Sequence, residues 1–197
     1  MSITVSIGVL SLQGSVEEHL RLLSACEGVQ SFSVKSADAL NRVDGLILPG
    51  GESTTMARLL RDFQLSAPLL GRIRQGLPVW GTCAGLILLA KQLVGEPSHL
   101  GVMDITVRRN AYGRQINSFS VTDSIPPVAD HPLSLTFIRA PWIEEAGRGV
   151  QVLHTLRGKI TAAREDRLLA TTFHPELTAD PAFHRYFTGI VRGSLPV

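Results

Sequence analysis

A cysteine between two glycines is the feature of the sequence with the clearest chemical meaning. Cys83 lies in Gly81-Thr82-Cys83-Ala84-Gly85, after the apolar Pro78-Val79-Trp80 and before the apolar residues 86–90. This pattern predicts a sharp strand-to-helix turn that presents a nucleophile, and its glycines let strand and helix approach closely. The turn also sets the thiol at a helix N-terminus, which favours the thiolate. We therefore predict that Cys83 is a nucleophile and not a structural cysteine.

A thiol nucleophile needs a base, and one of the six histidines is well situated for that role. His174 ends the apolar stretch 168–173 and is followed by Pro175 and Glu176. Residues two apart in an extended segment point to the same side, so Glu176 is expected to orient the imidazole. The predicted catalytic residues are thus Cys83, His174 and Glu176. The alternative for His174 is a strand-end histidine bonded to the backbone.

The remaining histidines give no comparable signal. His19 and His184 have charged neighbours and are interpreted as lying on the polar faces of helices. His99, His131 and His154 fall in loop or strand contexts, where we expect no carboxylate partner. No spacing among them resembles a metal site, so the sequence predicts no metal.

A second glycine-rich turn, Pro49-Gly50-Gly51-Glu52-Ser53, follows the apolar residues 45–48. One interpretation is a turn followed by a helix cap. The other is a binding loop, in which backbone N–H groups approach a ligand carbonyl and stabilise an oxyanion, a role that the Ala84 N–H could share. A phosphate loop is excluded because the lysine and the longer glycine spacing are absent.

The composition is that of an ordinary globular protein. The 197 residues are 44% hydrophobic and 18% charged, with 19 Lys+Arg against 17 Asp+Glu. Scattered basic residues and a small net charge disfavour nucleic-acid binding. The first residues have neither a signal-peptide pattern nor the length of a membrane span, so we expect a cytoplasmic chain without membrane association. Both cysteines are then expected to be reduced, with Cys26 a buried thiol beside Leu22 and Leu23.

Strand and helix patterns alternate in the first half of the chain, and strands dominate the second half. The predicted strands are 3–10, 45–48, 79–80, 105–107, 135–138, 150–156, 160–163 and 168–173. The predicted helices are 16–25, 53–61, 66–74, 84–93 and 181–191. This order predicts one α/β domain over residues 1–197, a three-layer α/β/α structure whose mostly parallel central sheet carries an antiparallel portion.

The motifs together resemble the class I, triad-type glutamine amidotransferases, and within them the glutaminase subunits of pyridoxal 5′-phosphate synthase. The resemblance extends over nearly the whole chain and implies a flavodoxin-like fold. It rests on these segments, in this order: 9–14 with Glu18-His19, 48–55, 81–85, 109–115, 137–141 and 173–178.

The resemblance implies a reaction and a binding site. Cys83 would attack the side-chain amide of L-glutamine, His174 would move the protons, Glu176 would orient His174, and water would hydrolyse a γ-glutamyl thioester. An arginine suits the α-carboxylate of glutamine because its guanidinium forms paired hydrogen bonds with carboxylates. The implied glutamine site and oxyanion hole comprise Gly50, Gly51, Glu52, Ser53, Ala84, Arg109, Ile138 and Arg139.

The same resemblance implies a partner. Ammonia would pass to a separate, barrel-shaped synthase subunit in a large hetero-oligomer, which makes pyridoxal 5′-phosphate from ribose 5-phosphate and glyceraldehyde 3-phosphate. Pyridoxal 5′-phosphate would be the product of that complex, and no cofactor is expected in this chain. Gln13 and His19 are candidates for sensing the partner, because loops after parallel strands lie at the active-site end of a sheet. Trp80, Ser120 and Trp142 depart from the expected pattern, but none belongs to the triad.

Three other functions remain open. A class I amidotransferase of histidine or purine synthesis would share the triad, but Leu12-Gln13-Gly14 and the segment 109–115 argue against it. A non-enzymatic scaffold subunit would be expected to lack part of the triad, which is complete here. A cysteine hydrolase or peptidase on a similar sheet is disfavoured, because the segments 50–53 and 174–176 suit a small amino-acid amide.

Overall fold

The computed structural model describes residues 3–109 and 118–195, which form twelve strands and six helices. The strands are β1 (Val5–Leu10), β2 (Val29–Val34), β3 (Gly45–Leu48), β4 (Val79–Thr82), β5 (Ala90–Leu93), β6 (Met103–Arg108), β7 (Ser118–Asp123), β8 (Leu133–Ile138), β9 (Trp142–Ala146), β10 (Gln151–Leu156), β11 (Lys159–Glu165) and β12 (Leu168–Thr171). The helices are α1 (Val16–Ser24), α2 (Ala37–Leu40), α3 (Ser53–Asp62), α4 (Ser66–Arg74), α5 (Ala84–Leu89) and α6 (Ala182–Arg192). A 3-10 turn over Pro175–Leu177 follows β12.

Ten of the described strands form one mixed sheet in the order β2-β1-β3-β4-β12-β11-β9-β6-β5, with β10 paired to β11. The strands from β2 to β12 in this order run parallel. Beyond them β11 is antiparallel to β12 and to β9, and β9 is antiparallel to β6. The predicted α/β architecture, a parallel core with an antiparallel portion, is confirmed.

Helices cover both faces of the parallel half. Side chains alternate across a strand, and β3 divides accordingly, with Leu46 and Leu48 in one core and Ile47 in the other. Helices α2 to α5 pack against the first core, whereas α1 and α6 pack against the second, where Leu23 and Phe187 lie. Strands β7 and β8 form a separate two-stranded ribbon that adds its apolar side to the second core. No helix among the described residues is long and apolar enough to cross a membrane.

The predicted helix 84–93 is wrong in its last four residues. Helix α5 ends at Leu89, and the next four residues form β5 beside β6. The carbonyls of Leu88 and Leu89 accept hydrogen bonds from the N–H groups of Leu100 and Val102, which replaces the next helical turn. A buried apolar run does not distinguish helix from strand, so the sequence did not indicate that the helix ends at Leu89. Strands β2, β7 and β9 and helix α2 were also not predicted.

Candidate active site

Cys83 stands at the turn between β4 and α5 in a strained backbone conformation. Its φ of 48° lies in the left-handed region that residues other than glycine rarely adopt. Its N–H donates to the Thr171 carbonyl of β12 at 2.8 Å, which ties the turn to the adjacent strand. A β-carbon at Gly85 would lie 2.0 Å from the Leu48 carbonyl oxygen, and one at Gly81 would lie 2.4 Å from the Gly85 carbonyl carbon. The two glycines therefore permit the close strand–helix approach that the sequence indicates.

The His174 imidazole hydrogen-bonds with Glu176, and the Cys83 thiol lies close enough to the imidazole to raise its pKa. The distance from His174 Nδ1 to Glu176 Oε1 is 2.8 Å. The His174 N–H donates to the Thr136 carbonyl of β8 at 2.8 Å, so the ribbon holds the backbone of the base. Residues 175–177 form a 3-10 turn, so the predicted extended geometry is wrong although the histidine and the carboxylate do meet.

The charges of these groups are coupled. Burial lowers the pKa of His174, but hydrogen bonds with Cys83 and Glu176, together with their charges, raise it to about 10. Burial raises the pKa of Glu176, but the electrostatic effect of the facing His19 ring, a hydrogen bond with His174 and its charge, and a hydrogen bond from Ser15 lower it to about 2. At neutral pH the imidazole therefore holds a second proton beside an ionised carboxylate, ready to protonate a leaving group.

The site opens on a cleft of about 480 Å³. Cys83 is 7% exposed and His174 is 8% exposed, while Glu176 lies behind them, fully buried. Gln13 lines the cleft, whereas His19 is fully buried and does not. Every residue that the resemblance implies for glutamine binding also lines the cleft, namely Gly50, Gly51, Glu52, Ser53, Ala84, Arg109, Ile138 and Arg139.

One wall of the cleft is organised by Glu52, which is the N-cap residue of α3. Its carboxylate accepts hydrogen bonds from the N–H groups of Thr54 at 3.0 Å and Thr55 at 2.7 Å. Burial raises the pKa of Glu52, but these bonds, with those from the threonine side chains, lower it to about 2. Arg109 donates to Glu52 at 3.2 Å and to Glu96 at 3.0 Å. The glycine-rich turn is thus both a helix cap and a cleft wall. The rest of the motif that begins at Arg109, residues 110–117, lies outside the described residues.

The opposite wall comes from the end of β8. Ile138 is 37% exposed there, and Arg139 has a left-handed backbone with φ of 42°. Within the described part of the chain no carboxylate lies at ion-pair distance from Arg139, unlike Arg109. The charge of Arg139 is therefore available to an anionic group in the cleft.

The sequence did not indicate the residues behind the triad. Ser15 precedes α1 and has a residue type typical of N-caps, yet it makes no cap bond; its hydroxyl donates to Glu176 Oε1 at 2.7 Å. His19 and His184 are fully buried, with His19 Nδ1 2.9 Å from His184 Nε2. The polar-face interpretation of both histidines is therefore wrong, and the candidate partner-sensing residue His19 has no exposed surface. Burial of this pair depends on α6 packing against α1, which is a long-range contact.

Two further histidines do have carboxylate partners, contrary to expectation. His131 contacts Asp130 at 3.1 Å and Asp180 at 2.7 Å, and His154 contacts Asp123 at 3.1 Å. None of these residues lines the cleft. Across residues 3–109 and 118–195, no group of three His, Cys, Asp or Glu side chains is arranged to hold a metal ion.

Known proteins resemble this chain over most of its length. A family model described as the SNO glutamine amidotransferase family matches residues 9–192. The chain is 51% identical over 186 residues to the pyridoxal 5′-phosphate synthase subunit PdxT of Ruminiclostridium cellulolyticum, covering 94% of this chain and 98% of that protein. It is 49% identical over 197 residues to the subunit of the same name from Nocardia farcinica, covering 96% of this chain and 87% of that protein.

Solved structures agree with the sequence comparison. A crystal structure of a glutamine amidotransferase has a TM-score of 0.88 and 40% identity, covering 94% of this chain and 98% of that chain. A crystal structure of a glutamine amidotransferase from Thermotoga maritima has a TM-score of 0.58 and 15% identity, covering 96% of this chain and 83% of that chain. At this identity the similarity shows the fold alone. With this fold, this site and a family model that matches nearly its whole length, the chain belongs to the SNO glutamine amidotransferase family.

Proposed function

We propose that this chain is the glutamine-hydrolysing subunit of a pyridoxal 5′-phosphate synthase. The observation that carries the proposal is the contact chain from Cys83 through His174 to Glu176 at the base of the cleft. The PdxT relatives are named as subunits of pyridoxal 5′-phosphate synthase, and the matching family model is one of glutamine amidotransferases. Both similarities extend over nearly the whole chain.

In the first half of the reaction His174 holds the proton of the Cys83 thiol, and the sulfur attacks the side-chain amide carbon of L-glutamine. A C–S bond forms, and the carbonyl electron pair moves to the oxygen. Ala84 is the first residue of α5, where N–H groups have no acceptor within the helix, so its N–H is free to donate to this oxyanion beside that of Gly51. When the intermediate collapses, the C–N bond breaks and the nitrogen takes the proton of His174, leaving as ammonia.

In the second half water hydrolyses the γ-glutamyl thioester. Neutral His174 accepts a proton from the water as its oxygen bonds to the thioester carbon, and the C–S bond then breaks to release glutamate. The sulfur leaves without a proton beside His174, which now holds the proton taken from water, so both groups are back in their starting state. The second proton of the water is lost as the new carboxyl group of glutamate ionises. Glu176 keeps the imidazole oriented in both halves, because its carboxylate bonds to Nδ1 at 2.8 Å and leaves Nε2 for the reacting groups.

The cleft walls explain selection of an amino-acid amide. The α-carboxylate of glutamine would bind to guanidinium groups on the cleft wall, with Arg139 available and Arg109 fixed by Glu52 and Glu96. Cys83 is only 7% exposed at the base of the cleft, so a narrow group such as the side-chain amide would enter to reach the thiol.

The ammonia acceptor would be a separate, barrel-shaped synthase subunit within a hetero-oligomer. Gln13, in the loop after β1, supports a link between that partner and the site. Its Oε1 accepts a hydrogen bond from the Glu52 N–H at 2.9 Å. A partner that displaces this loop would therefore also displace the glycine-rich turn 49–53, the binding turn. Gln13 therefore remains our candidate for partner sensing.

The test is glutamate release from glutamine by the purified chain, alone and with a pyridoxal 5′-phosphate synthase subunit from the same organism. Cys83→Ala removes the nucleophile, and Cys26→Ala, at a buried thiol that does not line the cleft, is the matched control. We expect release that the synthase subunit stimulates, that Cys83→Ala abolishes and that Cys26→Ala retains. Release that ignores the synthase subunit would point to a different ammonia acceptor. No release, with binding of the synthase subunit demonstrated, would support a scaffold instead.

A further inference from the structure

The segment that begins α1 contacts both oxygens of the Glu176 carboxylate. Ser15 Oγ donates to Oε1 at 2.7 Å. His19, four residues later, directs its Nε2 at Oε2 from 3.6 Å. Residues four apart lie on the same side of a helix, so a single element reaches both oxygens of the group that orients His174.

The Glu176 carboxylate depends on these neighbours because it is closed off from bulk solvent. Glu176 is fully buried, and Oε1 is shared by Ser15 and His174. Oε2 is buried and, among the described residues, makes no hydrogen bond. Burying an ionised oxygen without a donor is costly, so the dipole of the facing His19 ring matters to the stability of this charge.

The hydrogen bonds of the histidine pair define which His19 nitrogen carries hydrogen. His184 Nδ1 is buried and has no partner among the described residues, and buried unpaired N–H groups are rare, so this nitrogen holds the lone pair. His184 then donates from Nε2 to His19 Nδ1 at 2.9 Å. His19 accordingly carries its hydrogen on Nε2, the atom that faces Glu176 Oε2 and lies 3.3 Å from Thr82 Oγ1. Burial lowers the pKa of both histidines, so both are neutral donors at neutral pH.

Few other charged groups face this carboxylate. His174 bonds to Oε1 from the cleft side, and the Arg21 guanidinium reaches only the main-chain oxygen of Glu176, at 3.4 Å. Glu18 acts on His19 through its charge. Support for the carboxylate from outside the triad therefore comes from Ser15 and His19.

We propose that Ser15 and His19 are positioning residues that hold the two oxygens of Glu176, and that α1 thereby sets the geometry of the base. This inference rests on the proposed glutaminase function. Loss of either residue leaves the carboxylate free to rotate and weakens its support of protonated His174. The cleft and the thiol remain in place.

The experiment compares Ser15→Ala, His19→Leu and His19→Gln in the complex with the synthase subunit. His19→Gln restores an N–H donor near the position of Nε2, and Ser24→Ala is the control, since this exposed serine on α1 bonds only to the Arg21 carbonyl. We expect Ser15→Ala to lower kcat about tenfold, the effect of one hydrogen bond to a charged group. His19→Leu removes the N–H dipole that faces Oε2 and should lower kcat several-fold, and KM should be nearly unchanged in both variants. His19→Gln should recover most of the loss, and Ser24→Ala should have wild-type kcat.

A second readout uses the chain alone and needs neither glutamine nor the partner. The rate of Cys83 alkylation by iodoacetamide is sensitive to how His174 is held beside the sulfur. At neutral pH we expect it to fall several-fold in Ser15→Ala and His19→Leu and to recover in His19→Gln. Folded variants with unchanged kcat and alkylation, or a loss that His19→Gln does not recover, would overturn the inference. If the wild-type complex releases no glutamate, the proposed function fails, while alkylation still decides the role of Ser15 and His19.

Discussion

The backbone of Gly50 lies against the His174 ring, so that a β-carbon at residue 50 would stand 2.4 Å from Cε1 and 2.7 Å from Nδ1. The binding turn and the base therefore occupy adjoining space with no room for a side chain between them. A glycine at this position is a requirement of the site as well as of the turn.

Gly50→Ala is expected to displace His174 and to lower kcat about a hundredfold, the effect typical of an ångström-scale misplacement of a reacting group. Overall stability should change less, because the clash is with a side chain at the cleft. Steady-state glutaminase kinetics in the complex measure the effect. Wild-type kcat in this variant would contradict the contact.

Gly71→Ala is expected to stabilise the fold by about 0.5–1 kcal/mol. Gly71 lies within α4, and a β-carbon there meets no atom within 4 Å, so alanine gains helix propensity without a clash. Gly95 has equally open space but a φ of +80°, so Gly95→Ala should destabilise by about 1–2 kcal/mol. Urea denaturation of the two variants should give free-energy changes of opposite sign.

Cys83→Ala is expected to lower the pKa of His174 from its value of about 10. Burial of His174 opposes protonation, and the hydrogen bond with Cys83 is the first of the interactions that outweigh it. Histidine titration by NMR measures this pKa. His131 is the internal control, since hydrogen bonds with Asp180 and Asp130 raise its pKa and Cys83 does not contact it. A His174 pKa unchanged by the substitution would rule out the thiol contact as its cause.

The stability that Glu176 contributes is expected to disappear in acid. Its folded pKa of about 2 is below the ordinary 4.5, so the contribution is complete above pH 4.5 and is lost as the pH falls towards 2. His174 acts in the opposite range, because a pKa raised from 6.5 to about 10 stabilises below pH 6.5 and loses this effect as the pH rises towards 10. Denaturation of wild type and Glu176→Gln between pH 2 and 6 should show their difference shrinking below pH 4.5. A constant difference would contradict the pKa of Glu176.

Iodoacetamide at neutral pH is expected to label Cys83 before Cys26. Burial raises the pKa of Cys26, which is 5% exposed on the α1 side of the fold, away from the cleft. Mass spectrometry after limited labelling identifies the modified residue. Preferential labelling of Cys26 would show that the cleft does not present the Cys83 thiol.

The sequence predicted the elements that are strongly apolar. Strand β3 and helix α4 have the predicted bounds, and the residues that resemblance implies for the glutamine site meet at one cleft. Strands β2 and β7 were missed because the strand prediction relied on continuous apolar runs, which polar residues interrupt in both segments. The alternation along β7 is itself typical of a half-buried strand and could have indicated it. Family membership was also correctly inferred from the motifs.

Long-range contacts account for what the sequence could not indicate. His19 and His184 are separated by 165 positions, and each has charged neighbours in the sequence, so only the packing of α6 on α1 shows that they are buried together. The hydroxyl of Ser15 likewise bonds to a carboxylate 161 positions away instead of capping its own helix. Sequence patterns report local structure, and these contacts are set by the tertiary fold.

The hydrogen bond from the His174 N–H to the Thr136 carbonyl joins the catalytic base to a part of the fold that does not hold the nucleophile. The thiol is fixed to the large sheet through Cys83 and Thr171, whereas the backbone of the base is also held by the separate β7–β8 ribbon. A shift of the ribbon by a fraction of an ångström would misalign the base and leave the nucleophile unmoved. The fold thus keeps the reactive atom fixed and leaves its alignment with the base adjustable from outside the sheet.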